Sequence, residues 1–330
     1  MAISNISVSV QPYLLPDIGL DPSRVCIIVP SADTPVAAFS INRNSYSEQI
    51  NLAITKDADR TTAISAAQDF FSESSGKSYA VMVVVTPDDL TNLDIADEAM
   101  QYGFAVLPGM RADFSEFSAL LTKVAANNAF LCVNDASSPV PTDSGQARLI
   151  QFVHETPMAL RAISFLAQQL SVDPGFNCAT NITNSTLSGD KYSEGLQQQL
   201  LSAGCNIYCN VDGLLQIQNG MTNDKTKIEA KYFSQNYLGY YIRTETAKWK
   251  ANRNVKQGDI IVIRDFVESL FNELLGRNLL KNTEELGGSA YVIRNISFAT
   301  VDGRIGANIY VDYSFNGNVD TFSFFIQEVA

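Results

Sequence analysis

With 330 residues, the chain is too long for a minimal domain and has room for two, or for one large domain with insertions. Hydrophobic residues make up 46% and charged residues only 18%, so a full core can be built, but little charge is left for a free surface, and neighbours are expected to cover part of it. The 35 acids against 23 bases give a net charge of -12, which argues against general nucleic-acid binding, since that needs a basic footprint.

In chain order, Ile6, Val8 and Val10 alternate with Ser7 and Ser9 at the period of a half-buried strand, and Pro12 and Pro16 then stop it. Such a strand must find a sheet edge, in its own chain or in another. Residues 25–29, 79–85 and 129–133 are short apolar runs of the kind that form buried strands. Between them, residues 61–74 place Ile64, Ala67 and Phe71 on one helical side, and residues 116–126 do the same with Phe117, Leu120, Leu121 and Val124. This alternation predicts a parallel or mixed sheet covered by helices.

A loop over 137–145 leads to a predicted helix at 155–170, carrying Leu160, Ile163, Leu166 and Leu170, and to another at 192–202. Residues 206–209 and 214–217 read as a hairpin about Asp212-Gly213. Residues 225–253 are polar, aromatic, basic and helical in character. An amphipathic helix is predicted over 259–280, with Ile263, Phe266, Val267, Leu270, Phe271 and Leu274 on one side and Gly276 near its end. Strands are expected over 291–298 and 309–315, then Asn316-Gly317 signals a hairpin into 319–326, where Phe322, Phe324 and Ile326 share a face. The fold class is therefore α/β (α+β): an N-terminal arm (1–20), a mixed-sheet α/β domain (21–220), a C-terminal α+β domain (221–315) and a C-terminal arm (316–330).

Chemistry-bearing motifs are sparse. His154 is the single histidine, and with no G-x-S-x-G elbow it reads as a solvent-facing or capping residue at a helix start. Ser75-Gly76-Lys77-Ser78 lacks the P-loop's earlier glycine, since Phe71 stands there. Cys205 and Cys209 have no second pair at metal spacing, and five scattered cysteines predict reduced, buried thiols. The acidic group Asp88, Asp89, Asp94, Asp97 and Glu98 lacks an EF-hand pattern. No catalytic, cofactor-binding or metal residue is expected. No apolar run approaches the 18 residues of a membrane span, and no secretory signal is visible, so a soluble, cytoplasmically made chain is expected. Charge is segregated: residues 224–281 hold 11 bases and seven acids, a local balance of +4. Such a belt suits an acidic partner, contacts between subunits, or a solvated helix face.

Several stretches together resemble contractile tail sheath proteins of phages and related injection machines. They are Ile3-Ser-Asn-Ile-Ser-Val-Ser-Val10; Asn44-Ser-Tyr-Ser-Glu48 with the alanine-rich 63–71 and valine-rich 78–84; Ala159-Leu-Arg-Ala-Ile-Ser-Phe-Leu-Ala167; Leu201-Ser-Ala-Gly-Cys-Asn-Ile-Tyr208; and 259–275. Gly220-Met-Thr-Asn223 stands where many members carry a tryptophan-glycine segment. The resemblance implies a virion structural subunit without enzymatic activity, assembled in a bacterial host cytoplasm. It would stack as hexameric rings into a helix around a tail tube, with baseplate and tail terminator proteins as further partners, and contract to drive the tube through the target envelope. No nucleic-acid or membrane partner is implied. On this reading Ile3, Ile6, Val8, Val10, Phe322, Phe324 and Ile326 belong to strand arms that link subunits. Arg243, Lys248, Lys250, Arg253, Lys256, Arg264 and Arg277 are the candidates for a tube-facing basic surface. Another virion part (tube, terminator or baseplate protein) and an α/β enzyme with an unrecognised carboxylate site are the alternatives.

Overall fold

A computed structural model describes residues 4–10, 24–31, 37–74, 81–87, 102–110, 115, 117–126, 129–137, 139–154, 161–170, 181–182, 191–211, 214–218, 220–251, 259–301 and 304–316. The chain forms two compact units, one of residues 20–231 with 318–330, the other of 1–19 with 232–317.

The larger unit is a mixed α/β layer structure. Its strands are β2 (Val25–Ser31), β3 (Ala37–Ile41), β4 (Val81–Pro87), β5 (Phe104–Met110), β6 (Phe130–Ala136), β7 (Leu149–His154), β8 (Asn181–Ile182), β9 (Asn206–Val211) and β10 (Leu214–Gln218). They form one sheet in the order β3-β4-β2-β5-β6-β7-β9-β10-β8. Strands β4, β2, β5, β6, β7 and β9 run parallel; β3 at one edge and β10 beside β9 run antiparallel to them, and β8, antiparallel to β10, ends the sheet in the direction of the parallel strands. The apolar runs read from sequence are the parallel core: Val25, Ile27, Val81, Val83, Phe104, Phe130 and Leu131 have no exposed surface. Strands buried on both faces need such continuous runs.

The helices of this unit are α1 (Tyr46–Ala53), α2 (Asp57–Glu73), α3 (Ser118–Ala126), α4 (Arg161–Leu170) and α5 (Glu194–Ser202). Helix α3 packs Leu120, Leu121 and Val124 into a cluster with Cys26, Ile28, Leu131 and Leu149. Helix α5 packs Leu200 against Val153 and Ile207. Leu149 and Val153 are four apart on β7 and share a face, so α3 and α5 cover the same side. Helix α4 covers the other side, where Phe165 meets Phe152 with ring centroids 5.0 Å apart, and α2 packs on α4.

The smaller unit contains β1 (Ser4–Val10), β11 (Tyr291–Val301) and β12 (Arg304–Tyr313) in an antiparallel sheet ordered β1-β12-β11. A helical stretch that begins in the larger unit as α6 (Ile228–Tyr232) widens here into a π turn (Phe233–Tyr237) and continues as α7 (Leu238–Ala251). Helix α8 (Ile260–Gly276) follows and packs on β11. The core here is aromatic. Phe233 stacks on Phe315 at 4.6 Å and meets Tyr313 edge-on, Phe271 lies 5.1 Å from Tyr291, and Trp249 of α7 stacks on Phe266 of α8 at 4.4 Å.

The α/β (α+β) class and most expected elements are present, with several corrections. Strands β3, β5 and β7 and helix α1 were not expected. His154 ends a strand rather than opening a helix, and it is buried, with Nε2 3.3 Å from Asn134 Oδ1. The units divide between Lys231 and Tyr232, not at 220/221, because residues 220–231 are bonded to the larger unit's strands, as described below. Strand β1 finds its edge in its own chain. The expected strand at 319–326, the acidic group at 88–98 and Ser75–Ser78 lie outside the described residues.

Candidate assembly surfaces

Three regions carry the candidate residues or explain the quoted motifs. The first is the small sheet. β1 pairs antiparallel with β12 in the register Ile6↔Val311, Val8↔Ile309 and Val10↔Ala307, with Asn5, Ser7 and Ser9 opposite Asp312, Tyr310 and Asn308. The alternation thus sets apolar against apolar and polar against polar, which specifies the register, since a slip of one residue would reverse every pairing. On β12, Ile309, Val311 and Tyr313 are buried while Tyr310 is exposed. Arg294 Nε donates to Asp312 Oδ2 at 2.6 Å between β11 and β12. β11 has β12 on one side only, so its other edge is unpaired among the described residues. Of the proposed arm residues, Ile6, Val8 and Val10 lie in β1, whereas Ile3, Phe322, Phe324 and Ile326 lie outside the described residues.

The second region is the helical belt. Arg243 on α7 and Arg264 on α8 are exposed and make no ion pair with a described residue. Lys248 is also exposed, but Glu245 accepts from its Nζ at 2.6 Å and raises its pKa. Arg277 is half-buried, 3.9 Å from Glu273. Lys250 lies on α7, and Arg253 and Lys256 lie outside the described residues. The structure therefore sorts the basic candidates into exposed cations and cations already matched in their own helix. Beside Arg264, the start of α8 exposes Ile260, Ile261 and Val262, with Ile261 at 74%.

The third region is a buried polar knot that periodicity did not reveal. Asn223 Oδ1 accepts from Ser144 N at 3.1 Å, Ser144 Oγ at 2.7 Å and Gln146 N at 3.2 Å. Its Nδ2 donates to Ala203 O at 3.2 Å, and its backbone N–H to Leu149 O at 2.8 Å. Asn206 Nδ2 donates to Gln151 O and Met221 O, and its Oδ1 accepts from Met221 N at 2.9 Å. Gln151 Nε2 donates to the buried Asp135 carboxylate at 2.7 Å. Gly204 enters this knot at φ +76, and a Cβ there would lie 2.5 Å from Asn223 O. That is why glycine precedes the strand in the quoted 201–208 stretch, and why Asn206 follows it. Lys231 closes the far side, donating to Ala147 O at 3.1 Å and pairing with Asp224. Burial opposes charge on Asp224, but bonds from Lys231, Thr222 and Thr226 N–H hold its carboxyl below the usual range.

Cys26, Cys132 and Cys205 are buried and in no disulfide, and burial, followed by the Asp135 and Asp143 charges, pushes Cys205 up to about 12. Among the described residues, no group of three or more His, Cys, Asp or Glu is placed to hold a metal ion, and no helix is long and apolar enough to cross a membrane.

No family model matches the chain, and no curated protein matches it in sequence. In fold it is similar to a solved sheath tail protein from Desulfitobacterium hafniense, with a TM-score of 0.51 at 10% identity, covering 93% of this chain and 100% of that one. At that identity the likeness is one of fold.

Proposed function

We propose that this protein is a structural subunit of a contractile tail sheath. It polymerises as helically stacked hexameric rings around a tail tube, and contraction of the lattice drives the tube through the target envelope. The observation that carries this reading is the end-to-end likeness of fold to a sheath tail protein, which spans both units and the whole of the other chain. Two further features support it. The small sheet offers strand edges of the kind that pair with strands of other copies. The helical belt offers exposed cations beside exposed apolar residues, a composition suited to a repeated, reversible contact.

On this reading the subunit's partners are other copies of itself, the tail tube, and baseplate and terminator proteins. The protein does no enzymatic chemistry and binds no cofactor; it works as part of the virion tail. Negative-stain microscopy of the purified protein, alone and with tube, tests this. A hollow helical sheath is expected. A smooth narrow tube would move the protein to another tail part, and dispersed single particles at all concentrations would sink the polymer reading.

A further inference from the structure

We propose that His154 is an acid-sensitive latch that holds the start of helix α4 on the large sheet. Neutral, the imidazole is seated among β6, β9 and α4. Charged, it leaves that seat, and the first turn of α4 comes away from the sheet. The latch belongs to the larger unit's own fold and does not depend on the sheath reading.

One amide oxygen joins the parts. Asn134 Oδ1 accepts from Ala162 N–H in the first turn of α4 at 3.1 Å and lies 3.3 Å from His154 Nε2. The backbone N–H fixes this atom as the amide's oxygen, because the NH2 end would set donor against donor. An acceptor facing Nε2 calls for a donor, so the neutral ring is the Nε2–H tautomer, and Nδ1 is the atom that takes up a second proton. Asn134 lies opposite Phe152, and Ala136 opposite His154, so both side chains project from the sheet face that α4 covers through Phe165. The end of β7 and the start of α4 are thus tied to the same atom of β6.

The seat suits a neutral ring. His154 is 1% exposed, its Nδ1 is buried, and Tyr208 of β9 lies near-parallel to it with ring centroids 6.4 Å apart. Among the described residues of the elements around it, β7 and β9 supply no charge. Helix α4 supplies Arg161 at its first position and the positive end of its backbone dipole. β6 supplies Asp135, which lies on the opposite sheet face, where Gln151 Nε2 and Ala136 N–H donate to its carboxylate. Burial and the positive end of α4 both oppose an imidazolium in this place. Once α4 has lifted, the ring meets water and takes up a proton at the ordinary value of about 6.5. The closed state is therefore at full strength above that pH and weakens as pH falls below it, because the open state binds the proton first. Ala162, Ile163, Phe165 and Leu166 are buried, so lifting the turn bares apolar surface at one end of the sheet.

The test is amide hydrogen exchange of the full chain in dilute solution, with the intrinsic pH dependence of exchange divided out. Between pH 7.5 and 5.5, opening over residues 161–170 is expected to rise by close to ~10-fold, the effect of one proton bound on opening, while β5 and β6 change little. His154→Gln keeps a side-chain N–H for Asn134 and cannot titrate, so the acid rise should vanish in it. A second measurement needs no variant. His154 is the chain's single histidine, so its imidazole resonances are read without overlap. They are expected to show the Nε2–H tautomer at pH 7.5 and a midpoint in the closed state below the ordinary value of about 6.5. An acid rise of the same size in His154→Gln would overturn the latch. Flat exchange over 161–170 in the unaltered chain, an Nδ1–H tautomer, or a midpoint at or above the ordinary value would each do so as well.

Discussion

The two units differ in how completely they bury themselves. In the nine-stranded unit, the strand cores have no exposed surface, and the buried polar side chains of the knot are tied to one another and to backbone. In the three-stranded unit, core positions such as Ile263, Leu270, Ile296 and Ile309 each keep 5–8% of their surface, and Ile260, Ile261, Val262 and Tyr310 are exposed. A small sheet with one covered face cannot close a core as a doubly covered sheet can. The difference teaches where further burial is most to be gained: among the described residues the large unit exposes Leu52 as its one large hydrophobic side chain, whereas the small one exposes a run of them at the start of α8 and Tyr310 on β12.

The sharpest way to break the scaffold is at its tightest point. Gly204→Ala places a Cβ against the Asn223 carbonyl oxygen in a left-handed conformation. Backbone strain of about 1–3 kcal/mol and a similar cost for displacing a packed turn should together remove about 2–6 kcal/mol, a large part of the stability of an ordinary domain. Urea denaturation measures it. An unchanged midpoint would mean that the knot yields, and that the large unit is no more tightly built than the small one.

Next in size is the aromatic core of the small unit. Phe233→Ala removes the ring that stacks on Phe315 and meets Tyr313, at an expected cost of about 3–4 kcal/mol. If the two units are built as differently as their burial indicates, amide exchange should rise in β12 and α8 and stay low in β5, β6 and β7. Equal loss of protection in both would merge them into one cooperative body.

The same contrast explains what was legible in the sequence. Strands β2, β4 and β6 announce themselves as short apolar runs, and α8 by its periodic face, because continuous burial and helical amphipathicity leave patterns in composition. β5 was missed because Pro108 and Gly109 interrupt Phe-Ala-Val-Leu, and β7 because Gln151 and His154 are polar residues in a fully buried strand. β3 is a short, Ala- and Ser-containing edge with Ala38 and Ser40 exposed, a weak signal at any period. The knot was invisible for a different reason. Ser144, Gln151, Gly204, Asn206 and Asn223 meet only once the sheet has folded, and no spacing rule joins them. The Gly204-to-Asn206 step and the 220–223 segment each stand out in the sequence, but separately. The alternation of Ile6, Val8 and Val10 did specify a strand; which copy's edge it pairs with is not written in a period of two.

A smaller effect sharpens the scaffold's electrostatic side. The Asp224 carboxyl is held below its usual range, so its bonds add stability above the ordinary carboxylate pKa of about 3.9 and lose it as pH falls through the lowered folded value. Asp224→Asn should cost about 1–2 kcal/mol at neutral pH and flatten the acid limb of the stability profile between pH 5 and 2. If the variant's acid limb matches that of the unaltered chain, the Lys231–Asp224 pair contributes nothing to the fold.

The smallest effect on stability, and the most selective on assembly, is expected in the helical belt. Exposed ion pairs contribute about 0–1 kcal/mol each, so neutralising any one of these bases should leave the denaturation midpoint nearly unchanged. Their use as a contact differs, because Lys248 already faces Glu245 and Arg277 lies near Glu273, whereas Arg243 and Arg264 have no described ionic partner. A cation paired in its own helix must give up that partner before it can serve another, and a lone one need not. Arg243→Gln and Arg264→Gln should therefore weaken attachment to a tail tube more than Lys248→Gln does. The gap should narrow as salt rises, since the Debye length falls from about 30 Å at 0.01 M to about 8 Å at physiological ionic strength. Co-sedimentation with tube across a salt series reads all three. A larger loss from Lys248→Gln would show that in-helix pairing does not select the contact residues. No loss from any of the three would leave the belt as a solvated face.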